Sequence, residues 1–184
     1  MKREYVEFKL SYLKSTFLTC GLTNALANGG CYYLFNSHSG NKGALDFVIN
    51  AAVTAFVLSL ICAAFAALSV KAKYKKGEIP EKIYTRNGHL LMHFFPRGTT
   101  GQVFASAIVV TLLFTFISGG AVIVFGCAQA GVPLMQGVVM HGILAGLMGV
   151  TNMYLMCVAR VSTFEEEGNV SRANVKSAEI GRAS

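Results

Sequence analysis

The stretch GTTGQVFASAIVVTLLFTFISGGAVIVFGCAQAGVPLMQGVVMHGILAGLMGVTNMYLMCVA, residues 98–159, runs for 62 residues without an Asp, Glu, Lys or Arg. A helix needs about 20 apolar residues, at roughly 1.5 Å each, to cross the hydrocarbon of a bilayer, so this stretch holds two crossings. Gly131-Val132-Pro133 punctuates it and sets the break between them. Working outward, no Asp, Glu, Lys or Arg lies between Lys14 and Lys42 or between Asp46 and Lys71, and each gap is long enough for one crossing. The expected fold class is therefore an all-α membrane protein with four transmembrane helices at about 11–35, 45–71, 101–126 and 134–160. These form a single domain, with a basic cytoplasmic loop over 71–100 and a polar cytoplasmic tail over 161–184. No stretch shows the sustained period-two alternation of a barrel.

Composition agrees. Of the 184 residues 53% are hydrophobic and only 14% charged, with mean hydropathy +0.51. A soluble domain carries about 25% charged residues, so this chain lacks the ionic groups to coat a globule in water. It is too apolar for a disordered chain, and its five Cys fall mostly inside apolar runs rather than in a disulfide framework. The first apolar stretch is long, holds Asn24, Asn28 and a Gly pair, and lacks a small-residue cleavage site, so it reads as a span rather than a removed leader.

Fifteen of the 16 Lys and Arg lie in the N-terminal arm, the 71–100 loop and the tail, and only Lys42 lies in the two short loops. The positive-inside rule then predicts a multi-pass protein of the cell membrane with both termini cytoplasmic. The net charge of +7 suits anionic lipid head groups. Because the basic residues flank apolar spans and form no nucleic-acid motif, nucleic acid is not expected as a partner. With no Trp, an interfacial aromatic belt would come from Tyr12 and Tyr154 inside and Tyr32 and Tyr33 outside.

An offset of 90 residues aligns the two halves without a gap. Gly29-Gly30 falls on Gly119-Gly120, Leu22 on Leu112, Phe35 on Phe125, Val48 on Val138 and Ala55 on Ala145. Each half would be a span, a Gly pair near its outer end, a short loop and a returning span. Two crossings per unit place both units in the same orientation, as two parallel two-helix repeats. The segment Asn24-Ala25-Leu26-Ala27-Asn28-Gly29-Gly30 and its returning span resemble uncharacterised small bacterial integral membrane proteins built from a duplicated two-helix unit. The resemblance implies the repeat architecture and assigns no functional residue.

In the basic loop, Ile83 to Phe95 mixes Tyr84, Leu90, Leu91, Met92, Phe94 and Phe95 with Lys82, Arg86, His89 and His93, which reads as a segment lying in the membrane interface. His89 and His93, four apart, lack the Glu of a metallopeptidase helix and read as part of that anchor. Thr99 or Thr100 would cap the third span. Glu165-Glu166-Glu167 reads as a solvated charge run.

Depth singles out candidate binding residues. Asn28, Asn50, Ser118 and His141 each lie about seven residues from the outer end of their spans, roughly 10 Å inside the boundary, with Asp46 one turn above Asn50. Polar groups at that level are costly unless they meet partners or water, so they are expected to point inward. Two readings follow: a polar layer binding a solute or ion around His141, or hydrogen-bonded glue between helices. Gly142-x-x-x-Gly146 with Gly149, and Ala51-x-x-x-Ala55, are small-residue stripes that pack helices within the chain or between subunits.

No phosphate loop, nucleophile elbow or metallopeptidase helix is present, and no nucleophile can be paired with a base by spacing, so an enzyme is not the favoured class. His38, His141, Asp46, Cys31 and Cys127 match no metal signature, and no cofactor or metal is expected. A Cys31 to Cys127 disulfide stays open. The expected function is a channel-like or transporter-like protein for a small solute or ion, working as a homo-oligomer. The alternative is a non-catalytic membrane subunit or scaffold that binds another membrane protein.

Overall fold

The computed structural model describes residues 3–78 and 94–180, and these residues are helical apart from short connections. The first helical stretch is α1 (Arg3–Thr16), a π-turn (Phe17–Gly21) and α2 (Leu22–Asn36). It is continuous, because Thr16, Gly21 and Leu22 at the junctions all keep right-handed helical backbone. It is followed by α3 (Ala44–Lys75), α4 (Thr99–Val124), the single turn α5 (Cys127–Ala130) and α6 (Leu134–Ile180).

Among the described residues three helices are long and apolar enough to cross a membrane: Ala44–Lys75, Thr99–Val124 and Leu134–Thr163. Their 32, 26 and 30 residues exceed the roughly 20 that the hydrocarbon requires. The predicted first span at 11–35 is helical throughout, but the stretch that holds it, Arg3–Asn36, is divided by the π-turn into pieces of 14, 5 and 15 residues. The predicted break after the third span lies where expected, at Gly131-Val132-Pro133 ahead of Leu134. The polar tail is helical, with α6 continuing to Ile180. His89, His93 and the Ile83 to His93 part of the predicted interfacial segment lie outside the described residues, as do the side chains of Glu165, Glu166 and Glu167.

Terminal residues account for the helix ends. At the end of α3, Gly77 takes a left-handed φ of 71°, its N–H donates to the Tyr74 carbonyl at 3.1 Å, and the Glu78 N–H donates to the Lys73 carbonyl at 3.1 Å. This paired closure satisfies carbonyls that the helix cannot pair within itself. At the opposite end of the bundle, Lys42 and Val132 form a two-residue antiparallel bridge with reciprocal N–H···O bonds of 3.1 and 2.7 Å. Gly131 (φ 77°) makes that approach possible, because a Cβ there would stand 2.8 Å from the Lys42 carbonyl oxygen. We refer to this as the bridge end and to the Lys71–Lys76 end as the basic end.

Helix α6 is the hub, packing against α2, α3 and α4, while α3 also packs along α4. Consecutive in sequence, α2 and α3 nevertheless join through α6 more than through each other. Glycine explains the α2–α6 seam. A Cβ on Gly142 would stand 2.9 Å from the Ala25 carbonyl oxygen, and one on Gly146 would stand 2.8 Å from that of Gly21, so the backbones touch directly. The Gly142–Gly146 stripe therefore packs within the chain. Ala51 and Ala55 are likewise buried, Ala55 in one cluster with Val110, Phe114, Leu144 and Ala145.

The burial pattern is inverted relative to a water-soluble bundle. Ser59, Ser106, Gln102, Ser118 and Asn152 are fully buried, whereas Phe104, Ile108, Leu112 and Phe116 make an exposed ladder along α4. Met135, Val139, Ile143 and Leu147 make another along α6. Large apolar side chains facing outward in unbroken helical ladders far exceed the patches that water tolerates, and they fit hydrocarbon as the surrounding solvent.

Candidate functional site

His141 stands two turns into α6, near the bridge end, and is 95% buried. One turn earlier Gly137 has no side chain, and the Tyr32 ring fills that space: a Cβ on Gly137 would lie 2.6 Å from the ring and 2.8 Å from the Tyr32 hydroxyl oxygen. Phe47 of α3 completes a three-ring cluster. Its centroid lies 6.2 Å from that of His141, Tyr32 lies 5.1 Å from His141, and Tyr32 and Phe47 are 5.9 Å apart. Val122, Cys127, Val132 and Met140 close the cluster toward the bridge.

Two polar atoms in this apolar enclosure have no hydrogen-bond partner: His141 Nδ1 and Tyr32 Oη. A buried polar group left unpaired costs about 1–3 kcal/mol. Two on stacked neighbouring rings make a locus where water, an ion or a polar solute would be held by donors and acceptors the protein itself leaves free. The sequence places Tyr32 in an interfacial belt. It is instead 4% exposed and lies inside the bundle, as does Tyr12, whose hydroxyl donates to the Met153 carbonyl at 3.4 Å.

The other sequence-selected residues occupy separate environments. Ser118 is fully buried, but its hydroxyl donates to the Thr115 carbonyl of its own helix at 2.9 Å. Asn28 is half-buried and its amide donates to the Asn24 carbonyl at 3.0 Å. Asn50 does not point inward; it is exposed, and its side-chain oxygen accepts from Thr54 at 3.5 Å. Asp46 is exposed in the first turn of α3, where a carboxylate suits the positive end of the helix dipole. Equal depth thus does not bring the four to His141. Depth follows from residue number alone, whereas the direction a residue faces depends on which helices become neighbours.

Two polar networks escaped the sequence reading. Midway along the bundle the Asn152 amide donates to Ser59 Oγ at 2.8 Å and to the Met148 carbonyl at 3.0 Å, while Ser106 donates to Asn152 Oδ1 at 2.9 Å. This network ties α3, α4 and α6 together with its groups matched, which marks it as interhelical glue. At the basic end Gln102 donates to Thr163 Oγ1 at 2.8 Å and accepts from the buried Arg160 at 3.4 Å. Asn152 is a polar residue within an apolar run, but it lies off the level shared by Asn28 and Asn50, so a search by depth passes over it.

The π-turn carries a thiol pair. Cys20 Sγ lies 3.8 Å from Cys62 Sγ of α3, and the Asn24 amide reaches both sulfurs, at 3.1 and 3.6 Å. All five cysteines are free thiols, including exposed Cys31 and buried Cys127 at the bridge end. Among the described residues no three His, Cys, Asp or Glu gather as metal ligands. No protein family, curated protein or solved structure matches this chain.

Proposed function

We propose that the chain is a multi-pass protein of the cell membrane that moves a small polar solute or ion, carrier-like rather than a wide pore, with His141 and Tyr32 as the groups that meet the cargo. The observation that carries this reading is the pair of buried polar atoms without partners in an otherwise apolar enclosure. In lipid, intramembrane polar groups of this kind mark solute and proton paths more often than structural joints, which are matched like Asn152. Ser118, Asn28, Asn50 and Asp46 share the depth of His141 but stand apart from it, so the cargo site is built on His141 and Tyr32. The first helix is the natural mover, since it rests on a smooth glycine seam and is interrupted by a π-turn.

In this reading the helix from Arg3 to Asn36 is a fourth span, both termini face the cytoplasm, and the bundle is two parallel repeats. Several features support the duplication. Lys42 and Val132, which bond reciprocally, are 90 residues apart, the offset that aligns the halves. A two-residue antiparallel bridge has local twofold symmetry, so equivalent residues would meet there on an axis between α3 and α6. Ala55 and Ala145 share one cluster, and Ala66 and Met156 another, again 90 apart. Under the same exchange, α2 on α6 becomes α4 on α3, and both pairs pack extensively. Parallel repeats about an axis along the membrane normal occur among transporters.

Reconstitution into liposomes tests the function, with flux measured for a panel of monovalent cations, protons and small zwitterions. At least one class is expected to move, with rates reduced at least tenfold by His141→Ala and by Tyr32→Phe. No flux across the panel, or flux unchanged in both variants, overturns the proposal. A subunit or scaffold role has one observation in its favour: Asp46, Asn50 and Thr54 present polar groups on an outer face of α3, where contact with a membrane-protein partner or a second copy would cover them. Copurification of a stoichiometric partner from native membranes would favour it.

A further inference from the structure

At the basic end the first helix leans on α6 rather than on α3, and a cleft of about 290 Å³ opens between α1 and α3 above Met153. Ser11, Ser15 and Thr16 of α1 face Ser69 and Lys73 of α3, and Glu78 stands at the mouth. The α1 residues fall at 11, 15 and 16, one face of a helix, so the hydroxyl stripe is built into the sequence at helical spacing.

The charges at the mouth complement each other. Lys73 Nζ lies 3.3 Å from Glu78 Oε2, and the two side chains are 40% and 46% exposed. An exposed pair of this kind contributes little to stability, so a ligand that replaces each partner can open it cheaply. An ammonium beside several hydroxyls suits a phosphate, and the carboxylate next to it suits an amine that can donate hydrogen bonds. Toward the middle of the bundle the same two helical stretches carry exposed apolar side chains, Phe17 and Leu18 on the first and Phe65 and Leu68 on α3. A head group in the cleft would therefore have surface for its acyl chains beside it. At about 290 Å³ the cleft falls just below the range of ligand pockets, about 300–1,000 Å³.

We propose that this cleft binds the phosphoethanolamine head group of a lipid from the leaflet at the basic end, with Lys73 and the serine hydroxyls on the phosphate and Glu78 on the ammonium. The site rests on the membrane reading of the chain and is independent of the cargo site at His141.

Native mass spectrometry of the full chain in detergent, titrated separately with phosphatidylethanolamine, phosphatidylcholine and phosphatidylglycerol, tests it. Phosphatidylethanolamine is expected to bind at least tenfold tighter than either of the others. Lys73→Gln, which removes the partner of the phosphate that all three lipids share, should weaken all three several-fold, and Lys73→Arg should keep most of the affinity. Glu78→Gln should bring phosphatidylethanolamine down to the level of phosphatidylcholine without changing the latter. The double variant Ser15→Ala with Ser69→Ala, which leaves both charges in place, should weaken phosphatidylethanolamine several-fold. Glycerophosphoethanolamine without acyl chains should compete only at far higher concentration. Equal affinity for the three lipids, insensitivity to Lys73→Gln and Glu78→Gln, or competition by the free head group at the lipid's own concentration would each overturn the proposal. The His141→Ala variant should bind the lipid as wild type does, which separates failure of this site from failure of the transport site.

Discussion

At the α2–α6 seam two helix backbones touch, and adding one methyl group there has a calculable effect. In Gly146→Ala the new Cβ would lie 2.8 Å from the Gly21 carbonyl oxygen, and in Gly142→Ala 2.9 Å from that of Ala25. Both obstacles are backbone, so neither can rotate away. Ordinary contact at about 3.4 Å requires the helices to separate by roughly 0.5–0.6 Å, a gap that forfeits between a quarter and a half of the dispersion well for the atoms facing it. Overpacking of this type costs about 1–3 kcal/mol. Gly30, Gly119 and Gly120 offer the control, because a Cβ on any of them meets nothing within 4 Å. There alanine should be neutral or slightly stabilising through helix propensity. Equilibrium unfolding in mixed detergent micelles, followed by circular dichroism, measures both sets. Gly146→Ala should lower stability by about 1–3 kcal/mol, while Gly30→Ala and Gly120→Ala should stay within about 0.5 kcal/mol of wild type. A neutral Gly146→Ala alongside a damaging Gly120→Ala would refute the packing of the first helix on α6.

Other expectations follow from single contacts. Asn152→Ala strands Ser59 and Ser106, which it now joins, and should lose about 1–3 kcal/mol in the same unfolding assay. Ser59→Ala together with Ser106→Ala should lose less, since the Asn152 amide keeps its bond to the Met148 carbonyl. Tyr32→Phe removes a buried hydroxyl that has no partner, so stability should hold or rise while transport falls. A destabilised variant would mean that the hydroxyl is paired. Mild oxidation should join Cys20 to Cys62, whose sulfurs are 3.8 Å apart, faster than any other cysteine pair. Peptide mapping by mass spectrometry should find that link and lose it in Cys62→Ser.

Charge made the long axis of this fold legible and left its cross-section hidden. Gaps between ionisable residues placed helices at 45–71, 101–126 and 134–160, close to the observed starts at Ala44, Thr99 and Leu134. The energy that sets those limits, the exclusion of charge from hydrocarbon, is local in sequence. Rotational position is another matter. In lipid the outward face is as apolar as the core, so a helix has no strong polar side to orient it. That is why Asn50 and His141, alike in depth, came out on opposite sides of the surface. Gly29 and Gly30 divide the same way: the first lies against the Val138 carbonyl and Gly142, the second faces open space. The Tyr32–His141 contact was equally out of reach, because it depends on α2 choosing α6 over its sequence neighbour α3.

Everything in the functional reading assumes that the stretch from Arg3 to Asn36 crosses the bilayer as the three longer helices do. Single cysteines introduced by Lys2→Cys and by Ser39→Cys, in a chain whose native cysteines are serine, can be probed in intact cells with a membrane-impermeant maleimide. The account predicts labelling at position 39 from outside and none at position 2 until the membrane is permeabilised. Labelling of both positions from the same side would contradict it.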